Sequence, residues 1–249
     1  MTVTTLVRAA LADAWALVAP VDCAGCGAHD RALCPSCAAT LHSRLLRATL
    51  EVDGSALPLI AALPYEGVAR RALLALKQEG RTELARPLAR PLLDAVTAAW
   101  HVSGAELIVP VPGSRAGAAR RGFGPVALIA RRAGLVTLPA LRAGAAGPEQ
   151  KALRLEQRLA TDAGRWQANA RVAGRRVLLV DDVVTSGATL RAATRALRAA
   201  GAEVAGCAAI AATLRRRGES SIHWRFIAGD DERPGDNEPR EDYREGKEA

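Results

Sequence analysis

Two short stretches of this chain carry residue types spaced for chemistry. The first is Asp181-Asp182-Val183-Val184-Thr185-Ser186-Gly187-Ala188-Thr189. Two carboxylates can accept hydrogen bonds from a sugar diol. The hydroxyl-rich turn after them leads into a helical pattern, so Thr185 to Thr189 place backbone N–H groups where no intrahelical acceptor exists. A phosphate satisfies such groups and meets the positive end of the helix dipole, a term of about 0.3–2 kcal/mol. Gly187 supplies the close approach and the positive φ that such a turn needs. A phosphate at one end and a cis-diol at the other suit a ribose 5-phosphate. The bland alternative is a buried strand that ends in an acid. The second stretch is Cys23-Ala24-Gly25-Cys26, seven residues, then Cys34-Pro35-Ser36-Cys37. Two Cys-x-x-Cys pairs bring four thiolates to two tight turns, which suits a closed structural zinc site. The alternative is two disulfides or redox pairs, which are rare inside cells.

These residues need elements to hold them. Val177-Leu178-Leu179-Val180 reads as a strand buried on both faces of a parallel sheet. Leu190, Ala193 and Leu197 share one face of a helix from Ala188 to about Ala200, with Gly201 as its stop. Glu106 to Pro112 reads as a second buried strand, and its carboxyl end opens into Gly113-Ser114-Arg115. Open α/β sheets bind ligands at that edge. A short strand is expected near Leu59–Ala62, then a helix over Val68–Glu79 that carries Arg70, Arg71 and Lys77. A further helix runs to about Trp100, and Pro87 and Pro91 start or kink it. Another spans about Gly124 to Arg132. Cys207 sits in an apolar strand, Val204 to Ala211, as a buried small hydrophobe. His29 and His42 read as surface residues. Residues 143–150 read as a mobile loop and Lys151 to Ala160 as a polar helix, either a solvated face or a cover for a pyrophosphate.

The chain has 249 residues, 49% apolar and 24% charged, which is ordinary for a globular protein. Aromatics are only 3%, so the core is mostly Leu, Val and Ala. No apolar run reaches the ~20 residues of a membrane span. Residues 229–249 hold nine acids and four bases; the remaining residues therefore carry +13 of the overall +8. A basic body suits phosphorylated ligands or nucleic acid; the bland alternative is a chain that is simply Arg-rich, with 31 Arg against three Lys. The tail from about Gly229 is too polar to fold. Residues 2–19 are apolar and Ala-rich, but Asp13 interrupts them and Arg8 lies inside the run. Val7, Leu11, Trp15 and Val18 share a helical face, so a docking helix is expected rather than an export signal.

The Asp181–Thr189 stretch resembles the phosphoribosyl-pyrophosphate (PRPP) motif of type I phosphoribosyltransferases. More of the chain, roughly residues 15–215, resembles the ComF family of competence-associated proteins. The resemblance rests on the four cysteines, Tyr65-Glu66-Gly67, Leu76-Lys77, Val109-Pro110-Val111-Pro112 and Arg121-Gly122-Phe123. It extends through Gln150, Leu153, Arg158 and Asn169 to the PRPP motif. The family usually continues Arg-Gly-Phe with Asn-Gln, where this chain has Gly124-Pro125. The resemblance implies an α/β type I phosphoribosyltransferase fold, a parallel sheet flanked by helices, with a small N-terminal zinc element. The implied units are residues 1–50 (helix and knuckle), 51–215 (phosphoribosyltransferase domain) and 216–249 (extension). It implies a cytoplasmic protein in DNA uptake that binds Mg²⁺–PRPP.

The site residues expected for PRPP are Asp181, Asp182, Val183, Thr185, Ser186, Gly187, Ala188, Thr189, Gly113 and Ser114. If the protein is an enzyme, Asp181, Asp182 and Arg115 serve the chemistry. Cys23, Cys26, Cys34 and Cys37 hold Zn²⁺. Enzymes for 6-oxopurines carry an acid where Thr185 stands, which argues against hypoxanthine or guanine as acceptor. The alternative is a non-catalytic scaffold that binds single-stranded DNA or a helicase or primosome protein, although few aromatics are present to stack on bases.

Overall fold

The computed structural model describes residues 21–29, 31–113, 117, 121–143, 166–214 and 222–227. The expected N-terminal docking helix, the 151–160 helix and the tail from Gly229 lie outside the described residues. So do residues 144–150 of the expected mobile loop.

The first strands form a hairpin. β1 (Leu46–Val52) alternates buried and exposed residues without a break, the pattern of a sheet with one covered face. It turns back into β2 (Ser55–Pro64) through Asp53-Gly54, both at positive φ (49° and 79°). Such a turn matches the natural strand twist and is the strongest short-range hairpin signal. Only the second half of β2 was expected as a strand. The expected unit boundary after residue 50 falls inside β1.

The sheet order is β3-β6-β7-β2-β1-β8. β3 (Leu107–Pro110), β6 (Arg176–Val184), β7 (Glu203–Ala212) and β2 run parallel, while β1 and the two-residue β8 (Arg225–Phe226) are antiparallel additions. Pro58 in β2 lies before the first residue paired to β7, Leu59, so its missing N–H breaks no bond there.

Crossovers cover both faces. On one face lie α2 (Gly67–Leu74), α3 (Ala85–Ser103) and α4 (Pro125–Arg132). The short α1 (Pro35–Ala39) belongs to the cysteine segment. On the other face lie α5 (Ala188–Ala199) and a separate ribbon of β4 (Leu141–Ala143) and β5 (Trp166–Ala168). The alternation of β6 shows the division, with Val177 and Leu179 in the α5 core and Leu178 and Val180 in the α3 core. Each side chain finds a packed layer, which explains why the segment is apolar without alternation. α3 continues through Pro91, which is buried; Pro87 falls in the first turn, where a missing N–H costs little. β7 is rich in alanine, and an added Cβ at Gly206 would stand 3.1 Å from Ser103 Cβ, so small residues let α3 lie close to the sheet. Cys207 is fully buried in β7.

All four parallel strands point their carboxyl ends to one edge. There the chain enters the Gly113 loop, the Thr185–Gly187 turn, the end of β7 at Thr213 and the Tyr65-Glu66 loop.

Candidate functional site

Asp181 and Asp182 lie in the last half of β6 rather than after it, since the strand runs on to Val184. Each is only 8% exposed. Asp181 Oδ1 accepts the backbone N–H of Asp182 at 2.8 Å. Burial, together with the neighbouring Asp182 carboxylate, pushes the Asp181 carboxyl up to about 8. Asp182 Oδ1 meets Lys77 Nζ at 2.8 Å.

Beyond Val184 the chain turns through Thr185 and Ser186, both exposed, to Gly187, which caps α5 at φ 75°. The Ser186 hydroxyl oxygen accepts the Ala188 N–H at 3.4 Å, and Arg191 donates to the Ser186 carbonyl. Gly187 is held from below. A Cβ there would come within 2.7 Å of both Leu50 Cδ1 and Ile222 Cδ1. The turn therefore rests on β1 and on a residue far along the chain.

One cavity of about 330 Å³ joins these parts. Asp181, Asp182, Val183, Thr189 and Gly113 line it. Thr185, Ser186, Gly187 and Ala188 form the turn between Val183 and Thr189. Ser114 and Arg115 lie outside the described residues. Seven further residues line it without an assigned site role, among them Lys77, Arg121 and Trp166. Lys77 and Arg121 stood in stretches that carry the family resemblance, but with no place in the site. Trp166 begins β5 of the ribbon and is buried against the cavity with Val111 and Val126.

The four cysteines form a second centre. Their sulfurs lie within 4.8 Å of one another, and Cys26 Sγ and Cys34 Sγ are 3.7 Å apart. Zinc–sulfur bonds of about 2.3 Å in a tetrahedron place sulfurs about 3.8 Å apart, so the spacing suits the ion. Burial would raise the Cys23 thiol, but the N–H groups of Cys34, Cys26 and Gly25 outweigh it and bring it down to about 6. The Ser36 hydroxyl and the Cys37 N–H lower Cys34. Burial and the adjoining sulfurs push Cys37 up to about 12, a cost that a dication reverses. A Cβ at Gly25 would meet Cys37 Sγ at 2.5 Å, so the first turn must be bare for the sulfurs to converge. The cluster can hold zinc. It packs on Val68 of α2 and on Leu33. His29 pairs with Asp22 at 2.8 Å and His42 is exposed; neither joins the sulfurs.

A mostly parallel sheet with helices on both faces, acids on a central strand and a turn into a helix at its carboxyl edge define a type I phosphoribosyltransferase fold, here with an N-terminal four-cysteine cluster. Residues 116–238 match the family described as the phosphoribosyl transferase domain. Among characterised proteins, an orotate phosphoribosyltransferase of Nocardioides sp. is 73% identical over 33 residues, 13% of this chain and 18% of that protein. An adenine phosphoribosyltransferase of Kineococcus radiotolerans is 38% identical over 121 residues, 48% of this chain and 60% of that one. Another, from Streptomyces coelicolor, is 35% identical over 119 residues, 48% of this chain and 62% of that one. The chain thus spans less than two thirds of these relatives. A solved phosphoribosyltransferase of Corynebacterium diphtheriae is 23% identical, with 59% of this chain and 73% of that one covered and a TM-score of 0.33. No helix among the described residues is long and apolar enough to cross a membrane.

Proposed function

We propose that the protein binds Mg²⁺–PRPP in the cavity at the end of β6. The ribose hydroxyls donate to Asp181 and Asp182. The 5-phosphate sits on the N–H groups of the Thr185–Thr189 turn, with Val183 and Ala188 contributing main chain and the threonine and serine hydroxyls adding donors. The pyrophosphate extends toward Gly113, Ser114 and Arg115. The observation that carries this reading is the placement of two buried acids, Asp181 and Asp182, in one cavity with Thr189 of the first turn of α5. Structures that bury two adjacent acids without a ligand for them incur a large desolvation cost, and a diol is a neutral donor pair that offsets it.

The associated chemistry is transfer of the ribosyl group to a nitrogen nucleophile. The deprotonated nitrogen forms a C–N bond at the anomeric carbon, the C–O bond to pyrophosphate breaks, and pyrophosphate leaves with the electron pair. Magnesium, arriving with the ligand, supplies charge neutralisation on that leaving group. Arg115 adds a cation there. The relatives named for orotate and adenine support a base as the acceptor, and Trp166 with Val111 and Val126 offers an apolar wall for a flat ring.

The finer reading is a role in DNA uptake, with single-stranded DNA or a helicase or primosome protein as partner. The resemblance to ComF and the basic charge of residues 1–228 support it. A steep fall of single-stranded DNA affinity with salt tests it, and a flat response counts against it.

Calorimetric titration of Mg²⁺–PRPP into wild type and into Asp181→Asn/Asp182→Asn tests the central reading. Binding by wild type that weakens at least about 100-fold in the double variant is the expected result, from the loss of two charge-assisted hydrogen bonds. A folded, zinc-loaded wild type that does not bind overturns it.

A further inference from the structure

Lys77 reaches the cavity through an irregularity. α2 is regular to Leu74 and then widens into one π turn, Ala75–Glu79, closed by Gly80 at φ 73°. Such turns recur at functional sites. This one delivers a side chain, only 31% exposed, onto Asp182. The main chain is held as well. The Lys77 carbonyl is among the last four of the helix, which lack intrahelical donors, and it accepts from Arg121 Nη1 at 2.7 Å. Arg121 also borders the Gly113 turn: a Cβ on Gly113 would stand 3.4 Å from Arg121 Nη2. A chain of contacts runs from Gly113 through Arg121 and Lys77 to Asp182, and all four line the same cavity.

A permanent Lys77–Asp182 pair does not suit the ligand. A pyrophosphate brings several negative charges into the space that already holds the Asp182 carboxylate, and like charges at this range repel strongly. Meanwhile the ligand's hydroxyls offer Asp182 new donors. The cation they displace is then beside the phosphate-rich end of the ligand.

We propose that Lys77 is a ligand-exchange cation: it balances Asp182 before ligand arrives and transfers to the pyrophosphate of the bound phosphoribosyl ligand. Arg121 acts through the Lys77 carbonyl as a positioning residue for the π turn. This rests on the reading of the cavity as a PRPP site.

The test titrates the full, zinc-loaded chain with two probes, Mg²⁺–PRPP and ribose 5-phosphate, which lacks the pyrophosphate. Lys77→Met weakens Mg²⁺–PRPP by about 10- to 100-fold, the worth of one hydrogen bond to a charged group. It leaves ribose 5-phosphate within about threefold, because the hydroxyl and phosphate contacts remain. Lys77→Arg keeps the charge and recovers part of the PRPP affinity. Arg70→Met, an exposed base on the same helix, changes neither probe and serves as the control. Equal losses on both probes, or none on PRPP while wild type binds it, overturn the proposal for Lys77 alone. Failure of wild type to bind either probe overturns the reading of the cavity, and the proposal with it.

Discussion

The four cysteines that converge on one point come from fifteen consecutive positions, 23 to 37. The residues around Asp181 come from positions as far apart as Lys77, Gly113, Arg121, Trp166 and Thr189. The cysteine cluster is set by its own turns, with a bare Gly25 and N–H groups aimed at sulfur. The cavity exists only when the whole sheet is built. A local centre of this kind would take its order from a bound ion, whereas an assembled one depends on the core of the domain.

The largest expected effect separates the two. Zinc removal by a strong chelator, or Cys37→Ser, withdraws on the order of 10 kcal/mol of binding free energy from a segment with little core of its own. Proteolysis should then cut first between residues 21 and 44, while the sheet retains its far-ultraviolet circular dichroism. Simultaneous loss of both would show that the cluster is part of the domain core.

Gly187→Ala should act in the opposite direction, on the cavity and not on the cluster. The left-handed conformation costs about 1–2 kcal/mol for a residue with a Cβ, and overlap with Leu50 and Ile222 adds about 1–3 kcal/mol. Chemical denaturation should report about 3 kcal/mol lost, with zinc content unchanged.

A smaller effect is pH. Asp181 has its folded-state pKa raised to about 8, so its protonated form favours the native state. That contribution is fully present below about pH 4 and is lost as pH rises through about 8. The carboxylate accepts a diol's hydrogen bonds more strongly than the protonated carboxyl does, so ribose 5-phosphate affinity should rise as pH approaches about 8 and then level off. Titrations at several pH values check this, and a flat profile would show that Asp181 makes no hydrogen bond to the ligand. Asp181→Asn should remove the dependence.

Legibility in the sequence follows the same division. β6, the turn and α5 form one continuous run, so their apolar periodicity, acids and glycine were readable in order. The cysteine spacing was readable for the same reason. The β1–β2 hairpin carries its signal in Asp53-Gly54 between alternating residues, outside the apolar run Leu59–Ala62 that alone suggested a strand. Lys77 could be seen as a base on a helix, not as the partner of Asp182 more than a hundred residues on. A π turn leaves no mark in composition, and a single tryptophan at position 166 does not announce which cavity it faces. Two-residue β8 is held by its pairing with Leu46 and Arg47 rather than by any pattern of its own.

That last pairing bears on how the molecule is made. β1 is among the first parts of the sheet to leave the ribosome, yet Leu46 waits for Phe226 before its outer edge is paired. The Gly187 turn likewise waits for Ile222. At synthesis rates of about 5–20 residues per second, the stretch from Ala212 to Ile222 takes about 0.5–2 seconds, during which the parallel strands are complete and the Gly187 turn lacks Ile222. The Gly187 turn is therefore braced only after the strands that define the fold have been made.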